Sequence, residues 1–104
     1  MELDEIIQIL EKRPGMIVVD RSIIGVRYFI NGFFLAKEKN SALSKKEEKF
    51  RDEFSQWVKE YYGCSIAKSW AEIILFYEGE STAALTKFVG LYREFMSEFE
   101  KCDN

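Results

Sequence analysis

A chain of 104 residues with 47% hydrophobic and 32% charged residues has the size and composition of one folded domain, which excludes disorder. Its 18 acids outweigh 15 bases, giving a net charge of −3 and a pI near 5.1, a balance that argues against a phosphate-backbone binder. Histidine is absent, so the commonest general base, metal ligand and pH switch are missing, while nine Phe, five Tyr and two Trp supply much to pack.

The N-terminus, Met1-Glu2-Leu3-Asp4-Glu5, is acidic and reads as no secretory or organellar signal. Leu3, Ile6, Ile7 and Leu10 follow at i, i+3, i+4 and i+7, one apolar stripe of a short helix that Pro14-Gly15 ends. Met16 to Val19 is apolar and β-branched, with no second strand candidate to pair with it, and reads as an extended connector lying on the core. Ser22 has the position of an N-cap for a helix from Ile23 to about Lys39. Ile23, Ile24, Val26, Phe29, Ile30, Phe33 and Phe34 cover more than one face, so this helix is expected to be the most buried. Gly25 and Gly32 within it suggest a close helix–helix contact.

Asn40-Ser41 reads as the exit loop, and Ser44 with Glu47 has capping-box spacing for a third helix. Phe50, Phe54, Trp57, Val58 and Tyr61 form its apolar stripe, and Gly63 closes it. Glu47–Arg51 and Lys49–Glu53 have i, i+4 ion-pair spacing on the charged side. A fourth helix starts at Ser65 or Ser69, runs to Tyr77 and stops at Gly79. The fifth runs from Ser81 to about Lys101, with the stripe Leu85, Phe88, Val89, Tyr92, Phe95, Met96 and Phe99. The fold class is all-α: residues 1–104 as a single compact bundle of four to five helices with no significant sheet.

Chemistry is hard to find. Glu94 and Glu98 share a solvated face, no serine has a histidine partner, and no glycine-rich phosphate loop follows a strand. Cys64 and Cys102 stand in no zinc-binding pattern and read as reduced thiols, with a disulfide between them left open. No metal site, cofactor or enzymatic activity is expected. Lys45, Lys46, Lys49 and Arg51 form the one basic cluster, but Glu47, Glu48, Asp52 and Glu53 interleave with it, so no nucleic-acid surface is expected. The longest strictly apolar run, Ile73–Tyr77, is far below the ~20 residues of a membrane span.

Three stretches have more to offer. Lys12-Arg13-Pro14-Gly15-Met16 is a turn after a basic pair, where Arg13 can present a guanidinium fork to a carboxylate. Trp70, in Ser69-Trp70-Ala71-Glu72-Ile73-Ile74, is either core or a partly exposed interface anchor. Tyr77-Glu78-Gly79-Glu80-Ser81 is an acidic helix–helix turn with an aromatic before it, suited to a basic partner. The charge is skewed the same way: residues 63–104 carry seven acids against four bases, which accounts for the whole net charge.

The same stretches carry a resemblance. Lys12-Arg13-Pro14-Gly15-Met16, then Ser22-Ile23 and Phe29-Ile30-Asn31-Gly32-Phe33, are similar to a family of small bacterial proteins whose members read Arg-Pro-Gly-Met-Tyr-Leu-Gly before such a helix. Trp57-Val58, Tyr61-Tyr62-Gly63, Ser69-Trp70, Ile73-Ile74, Tyr77-Glu78-Gly79, Ala84-Leu85, Phe88, Leu91 and Glu94-Phe95 extend it over residues 3 to 99. The chain departs from the pattern at Ile17-Val18-Val19-Asp20, where the family has Tyr-Leu-Gly, so no role of that loop carries over. The chain thus resembles immunity proteins of polymorphic-toxin, contact-dependent growth-inhibition systems, and the short, non-catalytic motifs it shares with them support kinship rather than a mechanism.

The resemblance implies a cytoplasmic protein that neutralises a cognate toxin domain, basic and for example a nuclease, by stoichiometric occlusion of its active site. The expected toxin-binding residues are Glu72, Tyr77, Glu78 and Glu80, with Asp20 behind them and Trp70 as an anchor. The protein is expected to be a monomer until bound, with no nucleic-acid or membrane partner. The alternative is a helical adaptor or regulatory module without catalytic activity, homodimeric through aromatics such as Tyr61, Tyr62 and Tyr92.

Overall fold

Local capping signals set most of the helix boundaries in the computed structural model, which describes residues 1–18 and 20–102, the side chains of residues 101 and 102 excepted. Helix α1 (Leu3–Lys12) begins on reciprocal bonds between Glu2 and Glu5 and buries all four members of its stripe. Helix α2 (Ile23–Asn40) starts at Ser22, whose Oγ accepts the Gly25 N–H at 3.3 Å. Helix α3 (Lys45–Tyr62) opens on the Ser44–Glu47 box and ends at Gly63 in the left-handed region, φ 65°. Helix α4 (Trp70–Glu78) is capped by Ser69, not Ser65, and ends at Gly79, φ 85°. Helix α5 (Ser81–Cys102) follows directly. Among the described residues there is no strand, and the all-α bundle has five helices.

The longest helix lies at the centre: α5 packs against each of the other four, and α4 is wedged between α2, α3 and α5. Ala84, Leu85, Phe88, Val89, Leu91, Tyr92, Phe95 and Met96 of α5 are all buried. The core is strongly aromatic around Phe50, Phe54, Trp70 and Phe88, with Trp70 stacked on Phe88 at 4.5 Å and edge-on to Phe54 at 5.6 Å. Tyr92 belongs to this core rather than to a homodimer surface, its hydroxyl donating to Asp4 Oδ1 at 2.5 Å. Burial pushes the Tyr92 phenol well up, and the Asp4 carboxylate adds to the shift.

Glu47 ties three helices together. It is 1% exposed and accepts from the Leu3 N–H at 3.0 Å, the Ser44 N–H at 2.8 Å and the Lys37 ammonium at 2.8 Å. The i, i+4 pairing expected with Arg51 does not form, because Arg51 turns outward to Glu38 and Asp52. Lys49–Glu53 does form, at 2.9 Å. Lys46 pairs with Glu100 at 2.8 Å, so the basic cluster is neutralised partly from other elements.

Three further expectations on this half of the chain are corrected. Met16, expected to open the extended connector, instead closes a 3-10 turn, Pro14–Met16, since proline at its first position favours that geometry and the N–H groups of Ile17 and Val18 both bond Pro14 O. Met16 is exposed, whereas Ile17 and Val18 rest on the core as expected and Val19 lies outside the described residues. Helix α2 is not the most buried element: it buries Ile23, Val26, Ile30 and Phe34 but leaves Tyr28, Phe29 and Leu35 in solvent.

The glycines of α2 differ in surroundings. A methyl added at Gly25 would meet Val18 Cγ1 at 3.1 Å, so Gly25 admits the connector, not a second helix. One added at Gly32 meets nothing within 4 Å. Gly32→Ala is therefore expected to stabilise the chain by about 0.5–1 kcal/mol in urea denaturation, the helix-propensity gain. Gly25→Ala should gain nothing, because Val18 must shift to admit the methyl. The Cys64–Cys102 pairing that the sequence leaves open falls outside the described side chains.

Candidate functional site

Helix α3 ends, and α4 runs, so that their aromatic side chains meet at the surface. A ladder of rings climbs out of the core from Phe54 through Trp57 (6.0 Å), Tyr61 (5.8 Å), Tyr62 (4.8 Å) and Tyr77 (4.5 Å, stacked) to Phe76 (5.1 Å). Its outer members are open to solvent: Phe76 is 70% exposed, Tyr77 44% and Tyr61 43%. Offset stacks and edge contacts hold rings rigidly, so this surface is pre-organised rather than assembled on contact.

Polar groups pin the ladder. The Tyr62 hydroxyl donates to Glu78 Oε2 at 3.0 Å, and burial, reinforced by that carboxylate, pushes its phenol well up, so it stays a donor. The Trp57 indole N–H donates to Glu98. Lys87 donates to the Tyr61 hydroxyl at 2.8 Å and lies 5.0 Å from its ring centre. Beside Phe76, a depression of about 200 Å³ is lined by Ile66, Lys68, Glu72, Ile73 and Phe76. That volume is below the usual range for small-ligand sites and suits one inserted side chain.

The sequence-derived candidates divide. Tyr77 and Glu78 lie within the ladder, and Glu72 shares the outward side of α4 with Phe76, one turn away. Each carboxylate also has a local duty. Glu72 is bonded to the capping Ser69 hydroxyl at 3.2 Å. Glu80 accepts the Ala83 N–H at 2.6 Å and the Thr82 N–H at 3.3 Å at the start of α5. Trp70 is corrected: at 6% exposed it is a core residue and offers no anchor. It points inward because Trp70, Ala71, Ile73 and Ile74 form the stripe that α4 buries.

Asp20 is exposed in the connector before α2, where its carboxylate accepts the Ser22 N–H at 3.0 Å. Its neighbour Arg21, at φ 55°, lines a cleft with Leu10, Pro14, Val89 and Arg93, on the α1–α5 side of the molecule. No described contact joins Asp20 to the aromatic ladder. Arg13 has no ion-pair partner among the described residues.

Phe76 and Trp57 were not among the sequence candidates. Phe76 had a readable signal, since it follows Glu72 by four residues and so shares its outward face. Among the described residues no cluster of three or more His, Cys, Asp or Glu side chains is placed to hold a metal, and no helix is long and apolar enough to cross a membrane. No protein-family model, curated protein or solved structure matches the chain.

Proposed function

We propose that the protein is a cytoplasmic immunity protein that binds a basic toxin domain, such as a nuclease, one to one and covers its active site. The observation that supports this reading best is the exposed, rigid end of the aromatic ladder with Glu72 and Glu78 beside it. Tyrosine and tryptophan are the residue types enriched at interface hot spots, and carboxylates around them complement a cleft built for phosphates. Phe76 and Tyr77 exclude water at the contact. Glu72 and Glu78 steer the encounter.

The test begins with capture of the partner from the native host and its identification by mass spectrometry. A basic toxin domain whose toxicity is abolished at equimolar ratio is the expected result. Phe76→Ala then should weaken binding about 30-fold or more, mainly through a faster off-rate, since a hot-spot truncation costs ~2 kcal/mol or more. Glu72→Gln with Glu78→Gln preserves the hydrogen bonds to Ser69 and Tyr62 while removing charge. That pair should slow association several-fold at low salt, with the effect fading as salt rises. Undiminished neutralisation by Phe76→Ala would place the interface elsewhere.

A further inference from the structure

Helix α2 presents a second apolar surface. Tyr28 is 64% and Leu35 65% exposed, with Gly32 and Ala36 open to solvent between and beside them. Tyr28, Gly32, Leu35 and Lys39 follow one another at spacings of four, three and four, which is the line of a coiled-coil seam. Phe29 and Ala36 flank the line on one side, Asn31 and Glu38 on the other. Among the described residues only Arg27 lies over part of it, 5.6 Å from the Tyr28 ring centre, and a methyl at Gly32 would touch no atom within 4 Å.

We propose that this face is the seam of an antiparallel homodimer, α2 against α2 of a second copy. The seam is complementary to itself in that direction. With the two-fold axis between Gly32 and Leu35, each Leu35 enters the gap over the other copy's Gly32. Each Lys39 ammonium then arrives at the other copy's Tyr28 hydroxyl, which can accept from it, while the ring face is already taken by Arg27 of its own chain, 5.6 Å from the ring centre. A parallel pair would set Gly32 against Gly32 and Lys39 against Lys39, leaving a gap and a like-charge contact. The exposed parts of Tyr28, Phe29 and Leu35, with their small neighbours, amount to about 400 Å² per chain, given the size of aromatic side chains. The pair therefore buries at most about 800 Å², below the size of a standard specific interface and in the range of a transient one. The dimer is weak, and the dilute protein is a monomer. The aromatic ladder lies on other elements, so this proposal does not rest on the proposed toxin-binding role.

Sedimentation equilibrium from about 10 to about 500 µM tests it, a range chosen for a weak complex. The expected average mass rises with concentration from 12.2 kDa towards twice that value. Gly32→Leu and Leu35→Glu should each weaken association at least tenfold while circular dichroism shows an unchanged fold. Gly32→Leu is the sharper probe, because its side chain has open space in one chain but meets Leu35 of the second copy in the pair. Phe76→Ala should leave association unchanged. A mass that stays at one chain throughout overturns the proposal. So does association that survives Leu35→Glu, or that disappears with Phe76→Ala.

Discussion

Glu47→Ala is expected to lower the unfolding free energy by about 3–5 kcal/mol, the loss typical of removing one partner from a buried ion pair. Glu47 is 1% exposed, and its two oxygens take N–H donors from Leu3, Ser44 and Lys37, so the start of α1, the start of α3 and the last turns of α2 meet on one carboxylate. Alanine leaves the Leu3 and Ser44 N–H groups and the ammonium without their acceptor in a space that water fills poorly. For a domain of this size the melting temperature should fall by roughly 15–30 °C. Glu47→Gln keeps the shape and part of the acceptor capacity and should lose less.

The same residue carries an acid dependence. Burial alone would raise the Glu47 carboxyl, but Lys37 and the Ser44 and Leu3 N–H groups together hold it below its ordinary value of 4.5. A carboxyl depressed on folding contributes stability that is complete above its unfolded pKa and is lost as the pH falls through its folded pKa. Wild-type urea midpoints should therefore hold from neutrality to about pH 5 and drop steeply below the ordinary carboxylate range. The drop should be shallower in Glu47→Gln. Equal slopes for the two proteins would show that other carboxylates govern acid unfolding.

Trp70→Ala is expected to cost about 3–5 kcal/mol, the range for deleting a large aromatic from a close-packed core. The indole lies face to face with Phe88 at 4.5 Å and edge-on to Phe50 at 5.7 Å and Phe54 at 5.6 Å, where α3, α4 and α5 meet. Phe54 and Phe88 are fully buried, so neighbours can close only part of the cavity. The urea midpoint should fall with little change in slope. Because Trp70 does not reach the surface, the folded fraction of the variant should bind a partner as wild type does. A loss below about 1 kcal/mol would mean that the ring is not packed as described.

These two residues also mark where sequence reading works and where it stops. Ser22, Ser44 and Ser69, with Gly63 and Gly79, delimit helices through bonds spanning three or four residues, so their roles follow from spacing alone. Glu47 showed half of its role in this way. Its capping bond to Ser44 is local, but its ammonium partner is Lys37 on another helix, which displaced the expected Arg51. Trp70 was ambiguous because α4 is apolar on nearly every side through Ile73, Ile74, Leu75, Phe76 and Tyr77, so periodicity names no inward direction. The acidic turn was placed correctly by sequence at a helix junction. The cap that Glu80 provides for α5 is likewise local, but that Glu78 receives Tyr62 depends on where α3 ends against α4.

Four to five helices in one all-α domain were determined by the sequence itself, because caps, turns and apolar stripes act over a few residues and need no partner to be recognised. Which faces α2 and α4 bury was decided only by the tertiary structure. With α5 at the centre and α4 wedged beside it, Trp70 turns inward and Phe76 outward from the same nine-residue helix. Tyr28 and Leu35 remain in solvent for the same reason: one side of α2 is enough to close the core, and its opposite face has no helix left to meet.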